Sequence, residues 1–96
     1  MLAINKAEYL KKYTINIEFN NGMGGIVDIE DVILKDTRPI FNELKDLSKF
    51  KDFTVDNNTI VWSNGLDLAP EYLYFLAFKD NKNYQNQFKE WGYISA

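Results

Sequence analysis

The sequence predicts an α+β fold: a twisted antiparallel sheet built from hairpins, with two or three helices packed on one face. Three observations carry this expectation. Ile15, Ile17 and Phe19 alternate with polar residues, the period-2 signature of a half-buried strand. Asn21-Gly22 and Asn57-Asn58 are hairpin-length links, too short for anything but antiparallel pairing. Pro39 and Pro70 each open a stretch in which the apolar spacing becomes helical. At 96 residues the chain is expected to form one domain, with room for one core and little room for a deep cleft.

Taken in order, Leu2-Ala3-Ile4 opens a first strand, with Tyr9 and Leu10 continuing it or forming its turn. Thr14–Phe19 is the second strand. Asn21-Gly22 supplies the φ > 0 conformation of a tight turn, and Gly25 to Ile29 returns. Gly24-Gly25 marks a bulge or a close backbone approach. Glu30 to Asp36 is a short helical piece. Pro39 then starts a second helix, with Asp36 or Thr37 as its cap and Phe41, Leu44 and Leu47 facing the core. Phe50 and Phe53 anchor the exit loop. Thr54-Val55-Asp56 and Thr59–Trp62 form a second hairpin, and Asn64-Gly65 turns the chain into Leu66-Asp67-Leu68. The helix from Pro70 has Glu71 in its first turn, where the dipole favours an acid. It is apolar over much of its girth (Tyr72, Leu73, Phe75, Leu76, Phe78), so it should be covered on more than one side. After a break at 80–83, Tyr84, Phe88 and Trp91 recur at i, i+4 and i+7 in a last short helix ending at Gly92.

Composition narrows the chemistry. With no cysteine there are no disulfides, thiolate nucleophiles or thiolate metal sites. With no histidine the commonest general base and transition-metal ligand are gone. Eleven basic and fourteen acidic side chains give a net charge of −3, and Arg38 is the only arginine, which argues against direct nucleic-acid binding. No signal-peptide pattern opens the chain and no apolar run approaches the ~20 residues that cross a bilayer, so a cytoplasmic protein without membrane contact is expected. No catalytic residue, metal ligand or cofactor is assigned, and the balance points away from an enzyme.

Several features still invite a chemical reading. Asp28, Glu30 and Asp31 offer carboxylates for a cation, but one short stretch supplies all three. A strand end followed by a helix cap explains them as well. Residues 56–67 and 80–91 fail as calcium loops, the first through Ile60 and the second through Gln85 and Trp91. Gly22-Met23-Gly24-Gly25 leads into a strand and lacks phosphate-loop spacing. The Tyr84/Phe88/Trp91 stripe either packs on the domain's own core or forms an interface for self-association or a partner.

One set of residues is more specific. Phe19-x-x-Gly22 is followed by Gly25-Ile26-Val27-Asp28-Ile29, then Phe41-x-x-Leu44 and Phe50. Last comes Ile60-Val61-Trp62-Ser63-Asn64-Gly65-Leu66-Asp67-Leu68-Ala69-Pro70-Glu71-x-Leu73-Tyr74. Over about residues 2 to 76 this resembles the small bacterial family called domain of unknown function 2442. The resemblance implies a compact α+β domain without an assigned activity. Some members of that family are fused to a helix-turn-helix segment. Others sit beside a second small protein in a toxin–antitoxin-like pair. Residues 77–96 are expected to be too short, and too poor in positive charge, for such a helix-turn-helix.

The organisation expected is a family-like domain over 1–78 and a short helical extension over 79–96 packed on it. The first functional reading is a protein-interaction module without enzymatic activity, the antitoxin-like or regulatory half of a two-protein pair. The alternative is a small-ligand-binding or carboxylate-based enzymatic domain using Asp28, Asp67 and Tyr74. The binding candidates are Asp28, Trp62, Asn64, Asp67 and Tyr74; the interface candidates are Tyr84, Phe88 and Trp91.

Overall fold

Six strands pair antiparallel into two three-stranded sheets, so the fold is α+β, with the expected antiparallel sheet divided in two. The computed structural model describes residues 1–95. Ala96, the last residue of the expected extension, lies outside the described residues.

The first sheet runs β1 (Ile4–Tyr9), β2 (Thr14–Phe19), β3 (Gly24–Asp28) in that order. Its alternation is strict in β2 and β3, where Ile15, Ile17, Phe19 and Val27 are sealed in the core while Asn16, Glu18 and Ile26 face out; in β1 a bulge between Ile4 and Lys6 interrupts it. Each sealed side chain contributes about 1.5–3 kcal/mol of burial, which pins the register, because a one-residue slip would expose them all. The β2–β3 link differs from the expected tight turn. Only Gly22 takes φ > 0, and Phe19 N–H donates to the Met23 carbonyl at 2.8 Å, so residues 20–22 form a three-residue loop.

The second sheet runs β4 (Phe53–Asp56), β5 (Thr59–Trp62), β6 (Asp67–Leu68). Asn57 and Asn58 both adopt φ > 0, as a two-residue hairpin turn requires. Phe53 is no loop anchor: it opens β4 directly opposite Trp62. A single main-chain bond, Ile4 N–H to the Asn58 carbonyl at 2.9 Å, joins β1 to this hairpin.

Helix α1 (Glu30–Lys35) follows β3. The expected helix from Pro39 is broken into α2 (Pro39–Asn42), a 3₁₀ turn (Glu43–Lys45) and α3 (Leu47–Phe50). Asp46 breaks it. With an extended backbone, its carboxylate accepts Ser48 N–H at 3.0 Å and Ser48 Oγ–H at 2.7 Å, restarting a helix instead of continuing one. That turns Leu47 outward, so Phe41, Leu44 and Phe50 are the buried residues here. Neither Asp36 nor Thr37 caps α2. Arg38 holds that position, and Asp36 instead accepts Arg38 N–H and pairs with its guanidinium at 2.7 Å.

Helix α4 (Pro70–Phe78) has Pro70 in its first turn and lies against β3. Gly25 makes that approach possible: a Cβ there would sit 3.2 Å from the Phe78 ring and 3.5 Å from the Ala77 methyl. After a 3₁₀ turn (Lys82–Tyr84), α5 (Gln85–Trp91) packs on α4 through Phe88, which is fully buried with its ring 5.2 Å from that of Phe75. Helix α4 is therefore covered by the sheet, through Tyr74 and Phe78, and by α5, through Tyr74 and Phe75, which accounts for its apolarity over much of its girth.

Candidate functional site

The stretch from Trp62 to Tyr74 holds most of the candidate binding residues, and its geometry is that of a brace. Trp62 ends β5, is sealed, and its indole N–H donates to the Phe50 carbonyl at 2.7 Å. Its ring lies 5.7 Å from that of Phe50 and 6.1 Å from that of Phe53. Asn64 is saturated: Oδ1 accepts Leu66 N–H at 3.0 Å, while Nδ2 donates at 2.9 Å to both the Ile40 carbonyl and a Glu43 carboxylate oxygen. Gly65, at φ +91°, completes the turn, and Trp62 N–H closes it on the Leu66 carbonyl at 2.8 Å. The Asn64 side chain thus ties the β5–β6 turn to α2. Asp67 sits on β6 opposite Val61 with an exposed side chain.

Tyr74 joins this stretch to a different region. From α4 its ring packs edge-on to Phe19 at 4.9 Å, and it is almost fully buried. Its hydroxyl accepts a hydrogen bond from Asn21 Nδ2 at 3.2 Å. Asn21 is itself positioned by its own turn, where Oδ1 accepts Met23 N–H at 3.0 Å. Burial, then the neighbouring Tyr84 hydroxyl, raises the Tyr74 pKa above its usual 10, so the phenol stays neutral well into the alkaline range.

Around Tyr74 the C-terminal segment builds a shallow aromatic groove. The Asn81 carboxamide accepts Asn83 N–H at 2.9 Å, and Gln85 Nε2 donates to the carbonyls of Lys79 and Asn81 at 2.9 and 2.8 Å. This locks the break between α4 and α5. Tyr84 then lies 5.2 Å from Tyr74, and Trp91 lies 6.2 Å from it, both edge-on. Gly92, at φ +84°, ends α5 in a Schellman turn: Tyr93 N–H reaches the Phe88 carbonyl at 3.0 Å, and the Tyr93 ring returns onto Tyr72 and Phe75. Leu2, Asn21, Tyr74, Tyr84, Gln87 and Trp91 enclose about 210 Å³. None of the six is an acid or a base, so the groove suits an uncharged, largely apolar occupant.

Of the interface candidates, Tyr84 and Trp91 are half-buried and line this groove, whereas Phe88 is core. Leu2, Asn21 and Gln87 were not singled out by sequence. Gln87 had a usable signal, since it lies three residues after Tyr84 and four before Trp91 on one helical face. The Asn21–Tyr74 contact spans 53 residues and leaves no local trace.

The carboxylate candidates are not brought together. Asp28 lies in a separate depression with Glu30, Asp31, Val32, Leu76 and Lys79, Tyr74 lines the aromatic groove, and Asp67 lines neither. Asp28 Oδ1 accepts Glu30 N–H at 3.0 Å and Asp31 pairs with Lys35 at 3.5 Å, the geometry of a strand end and a first helical turn. Among the described residues no three carboxylates converge on a point where a cation would sit.

Comparison with known proteins bears on the family and the fold. The model of the family described as protein of unknown function, domain of unknown function 2442, matches residues 4–79. The chain belongs to this family. No curated protein matches it. A solved structure from Nitrosomonas europaea, described as a candidate DNA-binding protein, shares the fold with a TM-score of 0.73 at 15% identity. The match takes in 99% of this chain and 63% of the other, so this chain spans less than two thirds of that protein. Because the family match stops at 79, the structural match extends beyond the family region into the C-terminal aromatic segment.

Proposed function

We propose that this member of the family is a cytoplasmic protein-interaction module without enzymatic activity, the regulatory or antitoxin-like half of a two-protein pair. The aromatic groove of Leu2, Tyr74, Tyr84 and Trp91 is its docking surface. The carrying observation is the contrast in how polar groups are used. Asn64 and the Trp62 indole are hydrogen-bonded within the fold, whereas among the described residues the groove offers ring faces, the exposed Gln87 carboxamide and the Trp91 indole N–H. Half-buried Trp and Tyr beside a shallow pocket are the side chains that anchor partners. The occupant supported by this chemistry is a partner segment inserting one uncharged aromatic or branched aliphatic side chain.

The DNA-binding description of the Nitrosomonas europaea protein belongs to a longer chain. Here the net charge is −3 and the single arginine is paired with Asp36, which favours a protein partner over a phosphate backbone. The domain organisation that goes with this reading is the family-like body over 1–78, with the segment from 79 onward forming the binding edge.

The test is a gentle pull-down from the native host's lysate with tagged wild-type protein and with Trp91→Ala, followed by mass spectrometry. The expected outcome is one stoichiometric protein that co-elutes with the wild type and is lost with Trp91→Ala. Equal recovery by both baits, or no protein partner at all, overturns the reading.

A further inference from the structure

The outer edge of β3 carries an observation independent of the groove. The bonds Phe19 N–H to Met23 and Ile29 N–H to Tyr13 fix the ladder phase, so Met23, Gly25, Val27 and Ile29 bond to β2. Gly24, Ile26 and Asp28 then direct their N–H and C=O groups away from the sheet. β3 is the last strand in its sheet, Gly24 and Asp28 are exposed, and Ile26 is 59% exposed. The strand, Gly-Gly-Ile-Val-Asp, has no lysine and no proline, and its ladder with β2 runs without a bulge. Lysine, proline and bulges ordinarily keep an edge from pairing, and the charge of Asp28 at the strand's end is the one such device here.

We propose that β3 pairs antiparallel with β3 of a second copy, making a continuous six-stranded sheet across a two-fold axis at Ile26. The sequence of the edge is self-complementary in that register. Ile26 meets Ile26 of the second copy, a β-branched pair, and Gly24 meets Asp28 in both directions. No carboxylate faces another across the seam. All three outward N–H groups of each strand find carbonyls. Val32 and Leu76, half-buried beside Asp28, continue the apolar border next to the edge. A second copy is favoured over an unrelated strand because the two-fold register covers the exposed Ile26 with its own counterpart and sets each Asp28 against a glycine.

The chain has no cysteine, so the register can be read directly. In the proposed pairing the two residues at position 26 form a hydrogen-bonded pair with Cα atoms about 5.5 Å apart, within disulfide reach. Sedimentation equilibrium of the wild type should give twice the monomer mass of 11.2 kDa at high concentration. Ile26→Lys, an exposed change, should keep the circular dichroism spectrum and give the monomer mass. Mild oxidation should crosslink Ile26→Cys nearly completely, and leave Val55→Cys, also exposed but on the other sheet, uncrosslinked. A wild type that stays monomeric at all concentrations overturns the proposal. So does an Ile26→Lys protein that remains dimeric, or crosslinking through Trp91→Cys in place of Ile26→Cys.

Discussion

The two tryptophans occupy opposite kinds of place. Trp62 is 1% exposed, with its N–H bonded to Phe50 and its ring between two phenylalanines. Trp91 is half-buried on the rim of a groove, held by Tyr74, Phe88 and Tyr93 through ring contacts alone. Trp62 belongs to the most recognisable part of the sequence, and Trp91 to the segment beyond the family match. The difference teaches that the specific pattern here is the signature of a fold. The weakly patterned end is where aromatic surface remains half-buried, and it is the surface proposed above for a partner.

Substitutions can break this contrast. The largest effect is expected from Trp62→Ala, at about 3–5 kcal/mol, a large share of the stability of a domain this size. Trp91→Ala should cost less than half as much, because its ring is partly solvated already; denaturant titration of both variants reads the difference. Asn64→Ala removes the tie between the β5–β6 turn and α2 and should cost about 1–3 kcal/mol with partner capture intact. Gly65→Ala is smaller, about 1–2 kcal/mol. Nothing lies within 4 Å of the added methyl, so only the φ of +91° resists it, and thermal melting should show it.

The smallest effect concerns pH. Hydrogen bonds from the Ser48 side chain and then its backbone lower the Asp46 pKa from its usual 3.8. A carboxyl depressed in the folded state contributes stability above its unfolded pKa, and that contribution is lost as pH falls through the folded value. Asp46→Asn should therefore flatten the acid side of the melting-temperature profile below about pH 4, melting slightly lower than the wild type at neutral pH and converging on it in acid. An acid limb as steep as the wild type's would place the titration elsewhere.

Much of the fold was legible because its determinants are local. The 14–19 alternation, the Asn57-Asn58 turn and the Pro70 start each work within a few residues, and each forms as read. Gly25 was legible as a close approach, though Phe78 as its neighbour was not. The break at Asp46 was hidden, since Phe41, Leu44 and Leu47 keep helical spacing while a serine two residues on captures the carboxylate. Division into two sheets depends on β1 meeting the second hairpin by one bond, a tertiary fact. At the candidate site, Tyr84 and Trp91 were visible from their spacing. Asn21 was visible only as a turn residue, and its reach to Tyr74 is set by the packing of α4 on the first sheet.

The most direct measurement is calorimetric titration of the recovered partner into three proteins: wild type, Asn64→Ala and Trp91→Ala, each shown to be folded. Asn64→Ala should bind with wild-type affinity despite its lower stability, and Trp91→Ala at least tenfold more weakly, the loss of about 1.4 kcal/mol or more at the groove. Weakened binding in Asn64→Ala with unchanged binding in Trp91→Ala would contradict this, and would place the recognition surface at the Trp62–Tyr74 stretch instead.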